Sequence, residues 1–394
     1  MTQKLEIWII RKKCKKIMKK IAILALHLST GGIEKAIATL SNMLVKKYEV
    51  EIIANYQIEE EPAFEIDKRV KIRYLMPGLK PNTKEFMMAV KEKKIFKTIK
   101  EGIKATKILY LRRKLMKDAI KNLFCDIAIS TRDIHNHLLG KYAKKGIVKI
   151  AQEHNNNGNE KYIKKVVKSL KNIDYFMPVS KQLLEIYENR LTNNNIKCLY
   201  IPHCLNNYPE EVSNLTNKNI VSIGRLSKEK GFLDLIDVFE IVSKNYPDWH
   251  LMIAGDGQER EKIESKIQEK KLQEKVSLMG FLKQEQLNKL LLQSSIYVMT
   301  SIHESFGLVL IEAESYGLPL LAFDTAQGPK EIIEEGKNGF LVPNRSIEEM
   351  ANKIQDLINN DELRKQIGSY SRIKSEDYKM ENVEKIWFNF IDNI

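Results

Sequence analysis

The feature that most narrows what this chain can fold into is an alternation. From Ile21 onward, short unbroken apolar runs take turns with longer amphipathic stretches. "IAILAL" leads into "GGIEKAIATLSNMLVKK" and then "VEIIA"; "CDIAIS", "VKIAQE" and "YFMPVS" are each followed by helical pattern. The second half repeats the scheme with "NIVSIGRL", "HLMIAGDG", "VSLMGF", "IYVMTS" and "PLLAFD". A strand that is apolar at every position is covered on both faces, and a helix between two such strands returns the chain to start a parallel neighbour. The pattern therefore predicts an α/β chain of two doubly wound, Rossmann-like domains. The segment "NNYPEEVSNLTNKN", residues 206–219, is rich in Asn, Pro, Ser and acid and reads as the linker. Residues 18–205 and 220–370 then form the two domains. Residues 371–394 end in "MENVEKIWFNFI", an amphipathic helix whose Trp387, Phe390 and Ile391 either pack back on the first domain or cover an ordinary terminal helix.

The total of 394 residues suits about two domains. No run of eighteen or more apolar residues occurs, so no membrane-spanning helix is expected. Residues 1–17, "MTQKLEIWIIRKKCKKI", precede the first strand pattern. Their apolar piece is too short for a signal-peptide core and no small-residue cleavage site follows. They read as a leader ahead of a start at Met18, or as a basic surface anchor. Cys14, Cys125, Cys198 and Cys204 are widely scattered without metal spacing, which favours free thiols in a reducing cytoplasm. Residues 1–210 hold 42 Lys+Arg against 21 Asp+Glu, and residues 211–394 hold 23 against 30, so the halves face different partners. Within the basic half, residues 84–121 place Phe96, Ile99, Ile103 and Tyr110 near one helical face among lysines. Such a helix either lies on an anionic bilayer or is a core helix with a solvated basic face.

In an open parallel sheet, ligands bind at the carboxyl ends of strands, and that is where the notable residues fall. Gly31 and Gly32 in "STGGIEK" follow the first strand and open a helix, so backbone can approach a phosphate there. The spacing is not GxGxxG, which disfavours a nicotinamide cofactor. Arg225 and Lys230 in "GRLSKEKG" follow the first strand of the second half and suit a diphosphate. In "SIHESFGLVLIEAESYGLP", Glu304 ends a buried strand and Glu312 lies inside the apolar segment that follows. A carboxylate at a strand end can accept hydrogen bonds from sugar hydroxyls, while the amides of Phe306, Gly307 and Leu308 at a helix start can meet phosphate oxygens. A carboxylate inside an apolar helix is costly unless bonded, and a ribose offers two adjacent hydroxyls.

"ESFGLVLIE" resembles the E-x7-E signature of retaining glycosyltransferases of family four, which have the GT-B fold. "GGIEKA", "AQEHN", "GRLSKEKG", "AGDG", "LMGF" and "EAESYGLP" are similar to segments of that family in the same order, from about residue 18 to about residue 390. The resemblance implies a UDP-sugar donor, with Gly31 and Gly32 approaching its diphosphate and Arg225 and Lys230 neutralising it as it leaves. It implies that Glu304 binds the donor sugar, Glu312 the ribose, and Gly280, Phe281 and Leu282 the base. Phe306, Gly307 and Leu308 would offer amides, and His154 in "EHN" would stand beside the reacting sugar. The acceptor would be a glycan or lipid-linked molecule in surface polysaccharide synthesis. The expected setting is cytoplasmic, at the inner face of the membrane. No cofactor and no catalytic metal are expected, because the chain lacks a DxD pair. The loop "DTAQGPKEII", residues 324–333, resembles one in members handling galactose-type or N-acetylated sugars. A nucleotide-sugar 2-epimerase of similar architecture is the alternative enzyme. A nucleic-acid-binding protein would use the basic charge, but no aromatic stacking motif accompanies it.

Overall fold

The computed structural model describes residues 18–155, 159–191, 195–324 and 327–394. The leader reading of residues 1–17 lies outside the described residues, as do Thr325 and Ala326 of the 324–333 loop. The chain divides into two compact units. The first comprises the N-terminal residues through Gln152 with Lys168–Phe176 and Ile394; the second comprises Glu153–Val167 and Met177–Asn393.

Two sheets carry the architecture. The first contains β1 (Lys20–Ala25), β2 (Glu49–Tyr56), β3 (Lys71–Met76), β4 (Ile127–Ser130), β5 (Val148–Glu153), β6 (Tyr175–Pro178) and β7 (Lys197–Cys198), in the order β3-β2-β1-β4-β5-β6-β7. The second contains β8 (Asn219–Ile223), β9 (His250–Ala254), β10 (Val276–Gly280), β11 (Ile296–Met299), β12 (Leu320–Phe323) and β13 (Gly339–Val342), in the order β10-β9-β8-β11-β12-β13. Ile21 pairs with Val50 on one side and Ile127 on the other; Ile220 pairs with Leu251 and Ile296, all in parallel. Both sheets thus have the α/β, doubly wound form that the alternation predicts.

The central strands are apolar on both faces because helices cover both. On the second sheet the helix Phe232–Asn245 buries Phe232, Leu235, Ile236, Phe239 and Val242, a three-and-four spacing that faces one side of the helix inward. These side chains join Trp249, Leu251, Ile253 and Val298 in one core. Each fully buried residue of this type contributes roughly 1.5–3 kcal/mol relative to exposure. Asn360 accepts a hydrogen bond from Leu363 N at 2.9 Å and so caps the helix Asp361–Lys374.

Residues 206–218 form no helix or named strand, yet they are held down within the second unit. The Tyr208 hydroxyl donates to Arg372 O at 3.1 Å, and the Arg372 guanidinium lies 4.1 Å from the Tyr208 ring centroid. Arg372 Nη2 also donates to Pro209 O at 2.7 Å. The tail forms the helix Met380–Asp392, which buries Val383, Trp387 and Ile391. Among the described residues, Cys125, Cys198 and Cys204 form no disulfide.

The basic stretch 84–121 is two helices rather than one: Thr83–Lys91 and Ile95–Lys121. Lys93, with φ of 54°, turns the chain between them.

Candidate active site

In the second sheet the chain leaves β8 toward β9 on one side, and β11 lies on the other. A doubly wound sheet opens a crevice where its order reverses in this way. Two loops meet there, one after β8 and one after β11.

The β8 loop carries Arg225 and Lys230. Leu226, fully buried, anchors it and its amide donates to Asp256 O at 3.0 Å. Arg225, one residue earlier, is exposed. The loop then makes a 3₁₀ turn over Lys228–Lys230. The β11 loop is bonded to it along its length. Thr300 Oγ1 donates to Lys230 O at 3.2 Å, and Ile302 N donates to Glu229 O at 2.7 Å. Lys230 Nζ donates to Glu304 Oε2, and both side chains are mostly buried. The structure therefore brings the cation of one motif onto the carboxylate of the other, across the two central strands.

Gly307, with φ of 97°, caps the helix Leu308–Ser315. That conformation favours glycine, and it aims the first-turn amides back along the loop. Gly328 N donates to Glu304 O at 3.1 Å, fixing the other flank. Glu312 sits on this helix, 7% exposed. Burial holds the Tyr297 phenol well above its usual range, and the nearby carboxylates of Glu304 and Glu312 push it the same way.

His154 follows β5 and is buried. Its ring stacks on His203 at 5.6 Å between centroids. His203 meets the edge of Phe306 at 5.0 Å, and Phe306 meets Tyr378 at 6.0 Å. This row of rings connects His154 to the residue two places after Glu304. Burial pushes the His203 imidazole down to about 4, so it is neutral at ordinary pH.

Gly280 ends β10, and Gly255 N donates to Gly280 O at 2.8 Å. Phe281, next in the chain, is 54% exposed, with Leu282 half-buried beside it. Gly31 and Gly32 belong to the first unit, at the equivalent switch point between β1 and β4. A Cβ on Gly32 would meet nothing within 4 Å. Behind that loop, Glu34 accepts from Arg132 Nη2 at 2.8 Å and is buried.

A family model described as "Glycosyl transferases group 1" matches residues 206–374. A Haemophilus influenzae protein named as an uncharacterized glycosyltransferase is 30% identical over 379 residues, covering 94% of this chain and 99% of that one. The chain belongs to the group 1 glycosyltransferases. This glycosyltransferase is also similar to a Campylobacter jejuni enzyme, 25% identical over 386 residues, 96% of this chain and 99% of that one. That relative is named "GalNAc-alpha-(1->4)-GalNAc-alpha-(1->3)-diNAcBac-PP-undecaprenol alpha-1,4-N-acetyl-D-galactosaminyltransferase". The fold of this chain matches that of a Staphylococcus aureus TarM variant crystallised with fondaparinux, α-GlcNAc-glycerol and UDP, with a TM-score of 0.74 at 20% identity over 94% of this chain and 99% of that one.

Several side chains around this candidate site escape a reading of the sequence. Glu314, two residues beyond Glu312, is fully buried and accepts from Asn338 Nδ2 at 2.7 Å through Oε1. Burial pushes its carboxyl up to about 8. Arg345 donates to Thr300 O at 3.0 Å and pairs with Asp234, bracing the β11 loop from beneath. His203 sits in "IPHCLN", a loop that carries no motif spacing. For Glu314 one signal was available: a second acid in an otherwise apolar helix.

Proposed function

We propose that this glycosyltransferase moves a hexose or N-acetylhexosamine from a UDP-sugar to a glycan or lipid-linked acceptor in surface polymer synthesis, with retention at the anomeric carbon. The observation that carries the reading is the Lys230–Glu304 contact at the switch point of the second sheet. An ammonium has three donors, so Lys230 can hold Glu304 and a phosphate oxygen together. In this reading the leaving diphosphate lies beside the carboxylate that grips the sugar.

The remaining roles follow from position. Arg225, exposed on the same loop, adds charge to the diphosphate. The amides of Phe306, Gly307 and Leu308 face its oxygens at the helix start. Glu312 accepts from the ribose hydroxyls, and the exposed Phe281 ring, with Gly280 and Leu282, flanks the base. For Gly31 and Gly32, in the first unit, the role of backbone contact with phosphate rests on the family resemblance, and the space free of neighbours around a Cβ at Gly32 is compatible with it. His154, held by the His203 stack, borders the reacting sugar. Breaking the sugar–phosphate bond builds negative charge on the leaving group, and preorganised cations and amides stabilise it most when that charge is greatest. These groups supply the charge stabilisation a metal would otherwise give, so no metal is required in this reading. Retention follows if the acceptor attacks from the face the diphosphate leaves and the departing phosphate takes its proton.

The relatives support the donor and acceptor classes: UDP is bound in the TarM complex, and the Campylobacter enzyme is named for an undecaprenol-linked acceptor. No helix of the described residues is long and apolar enough to cross a membrane. Work on such acceptors would then place the protein peripherally, at the cytoplasmic face. The test is release of UDP from a panel of UDP-sugars, with and without a chelator. Turnover of one or two UDP-sugars, unaffected by the chelator and giving an α-linked product, is the expected result. No release from any UDP-sugar would overturn the donor assignment.

A further inference from the structure

Among the described residues of the first unit, the helices Thr83–Lys91 and Ile95–Lys121 leave an apolar face exposed. Ile95 is 72% exposed, Phe96 90%, Ile103 67% and Tyr110 63%, with Ile99 at 56%. At about 100° per residue these five fall within roughly one quarter to one third of the helix circumference. The same helix packs inward on the other side. Ile108 is buried against Tyr56 and Met76, with Leu111 and Leu115 packed on that cluster. Asn82 Nδ2 donates to Glu101 O at 2.9 Å and ties the two helices together. Met87 and Met88, 60% and 56% exposed, extend the apolar surface onto the shorter helix. The exposed residues are thus not the core side of a displaced helix, because that side is filled.

The charge around this face identifies what covers it. Residues 83–121 hold 13 Lys+Arg against 4 Asp+Glu, a net of +9. Lys91, Lys93 and Lys94 crowd the turn and are all exposed. A second copy of the chain would bring the same charge against itself. A nucleic acid would meet the lysines but gain nothing from bare isoleucines. An anionic bilayer accepts both: headgroups for the lysines and the acyl boundary for the apolar ridge. We infer that this helical pair docks the protein on an anionic membrane surface, with Ile95, Phe96, Ile99 and Ile103 entering the interface. The inference rests on the peripheral placement proposed above and names the element responsible.

Sedimentation of the full chain with vesicles tests it. Phosphatidylcholine vesicles with and without phosphatidylglycerol are the probes. Binding is expected only with the anionic lipid, and salt should release it. The triple variant Ile95→Ser/Phe96→Ser/Ile99→Ser changes exposed side chains only, and should lower vesicle partitioning by at least about tenfold. Lys97→Gln/Lys100→Gln/Lys104→Gln should do the same with a weaker salt dependence. UDP release from a water-soluble assay should be unchanged in both. Vesicle binding that survives both variants would overturn the inference while leaving peripheral placement standing. No binding to anionic vesicles by the parent protein would overturn both. Salt-sensitive RNA binding, or self-association lost in the triple variant, in place of vesicle binding would also overturn it.

Discussion

Glu314→Gln should change how the stability of the second unit depends on pH. Glu314 is fully buried, and its carboxyl is pushed from 4.5 up to about 8. Burial is the main cause; Asp377 and Glu334 add to it, while the Asn338 bond and Lys374 oppose it. A carboxyl raised on folding holds its proton in the native state and loses it in the unfolded chain. Between pH 4.5 and 8 the native state therefore binds more protons, and stability falls as pH rises. The contribution is fully present below pH 4.5 and lost by pH 8. At about 1.4 kcal/mol per unit, the loss from pH 5.5 to pH 8 is about 3 kcal/mol. Glutamine keeps an oxygen for Asn338 and carries no titrating proton. The variant should match or fall slightly below the parent at pH 5.5 and exceed it at pH 8. Urea unfolding followed by tryptophan fluorescence reports on this unit, because Trp249 and Trp387 are both buried in it. Equal pH slopes for parent and variant would refute the reasoning and mean that Glu314 is ionised in the fold.

Four further outcomes are expected. Glu304→Gln should cut single-turnover rates while leaving UDP affinity nearly unchanged, and Glu312→Gln should weaken UDP itself by roughly ten- to a hundredfold, the value of a charged hydrogen bond; calorimetric titration of UDP separates them. Arg225→Ala should weaken UDP and slow the chemical step as well, since the leaving diphosphate gains charge at the transition state; titration beside single-turnover rates checks both. Gly328→Ala would place a Cβ 2.1 Å from Phe306 O, a main-chain clash costing about 1–3 kcal/mol that should lower both melting temperature and turnover. His203→Phe should flatten the fall in stability between pH 6.5 and about 4, because a half-buried imidazole held down to about 4 opposes folding as acid protonates it in the unfolded chain; denaturation across that range measures it.

The central strands were legible because each is buried on both faces, so apolar residues run on without alternation. β3 lacked that signal: in "KIRYLM" only Met76 is fully buried, and the strand lies at the sheet edge. β13 is four residues long and begins with glycine, too short to show a pattern. The break at Lys93 was invisible because the apolar spacing persists through a three-residue turn. Within the site, Arg225, Lys230 and Glu304 could be picked out because they lie in the loops that follow buried strands. Arg345 and His203 could not, and Glu314 only as a second acid in an apolar helix, because their significance comes from partners far away in sequence: Thr300, the ring of His154 and Asn338. One-dimensional pattern reports which way a side chain faces, and not which distant group it faces.

The strand order of the second sheet also dictates a schedule during synthesis. β8, β9 and β10 lie consecutively on one side and can pair as soon as they leave the ribosome, whereas β11 must travel back past all of them to seat against β8. Until it does, the loop holding Arg225 and Lys230 exists without Glu304. A nascent chain halted after β10 would present Lys230 before its Glu304 partner has been made, leaving Glu229 as the one acid of that loop. Glu304 therefore meets Lys230 only when long-range pairing across the sheet is complete.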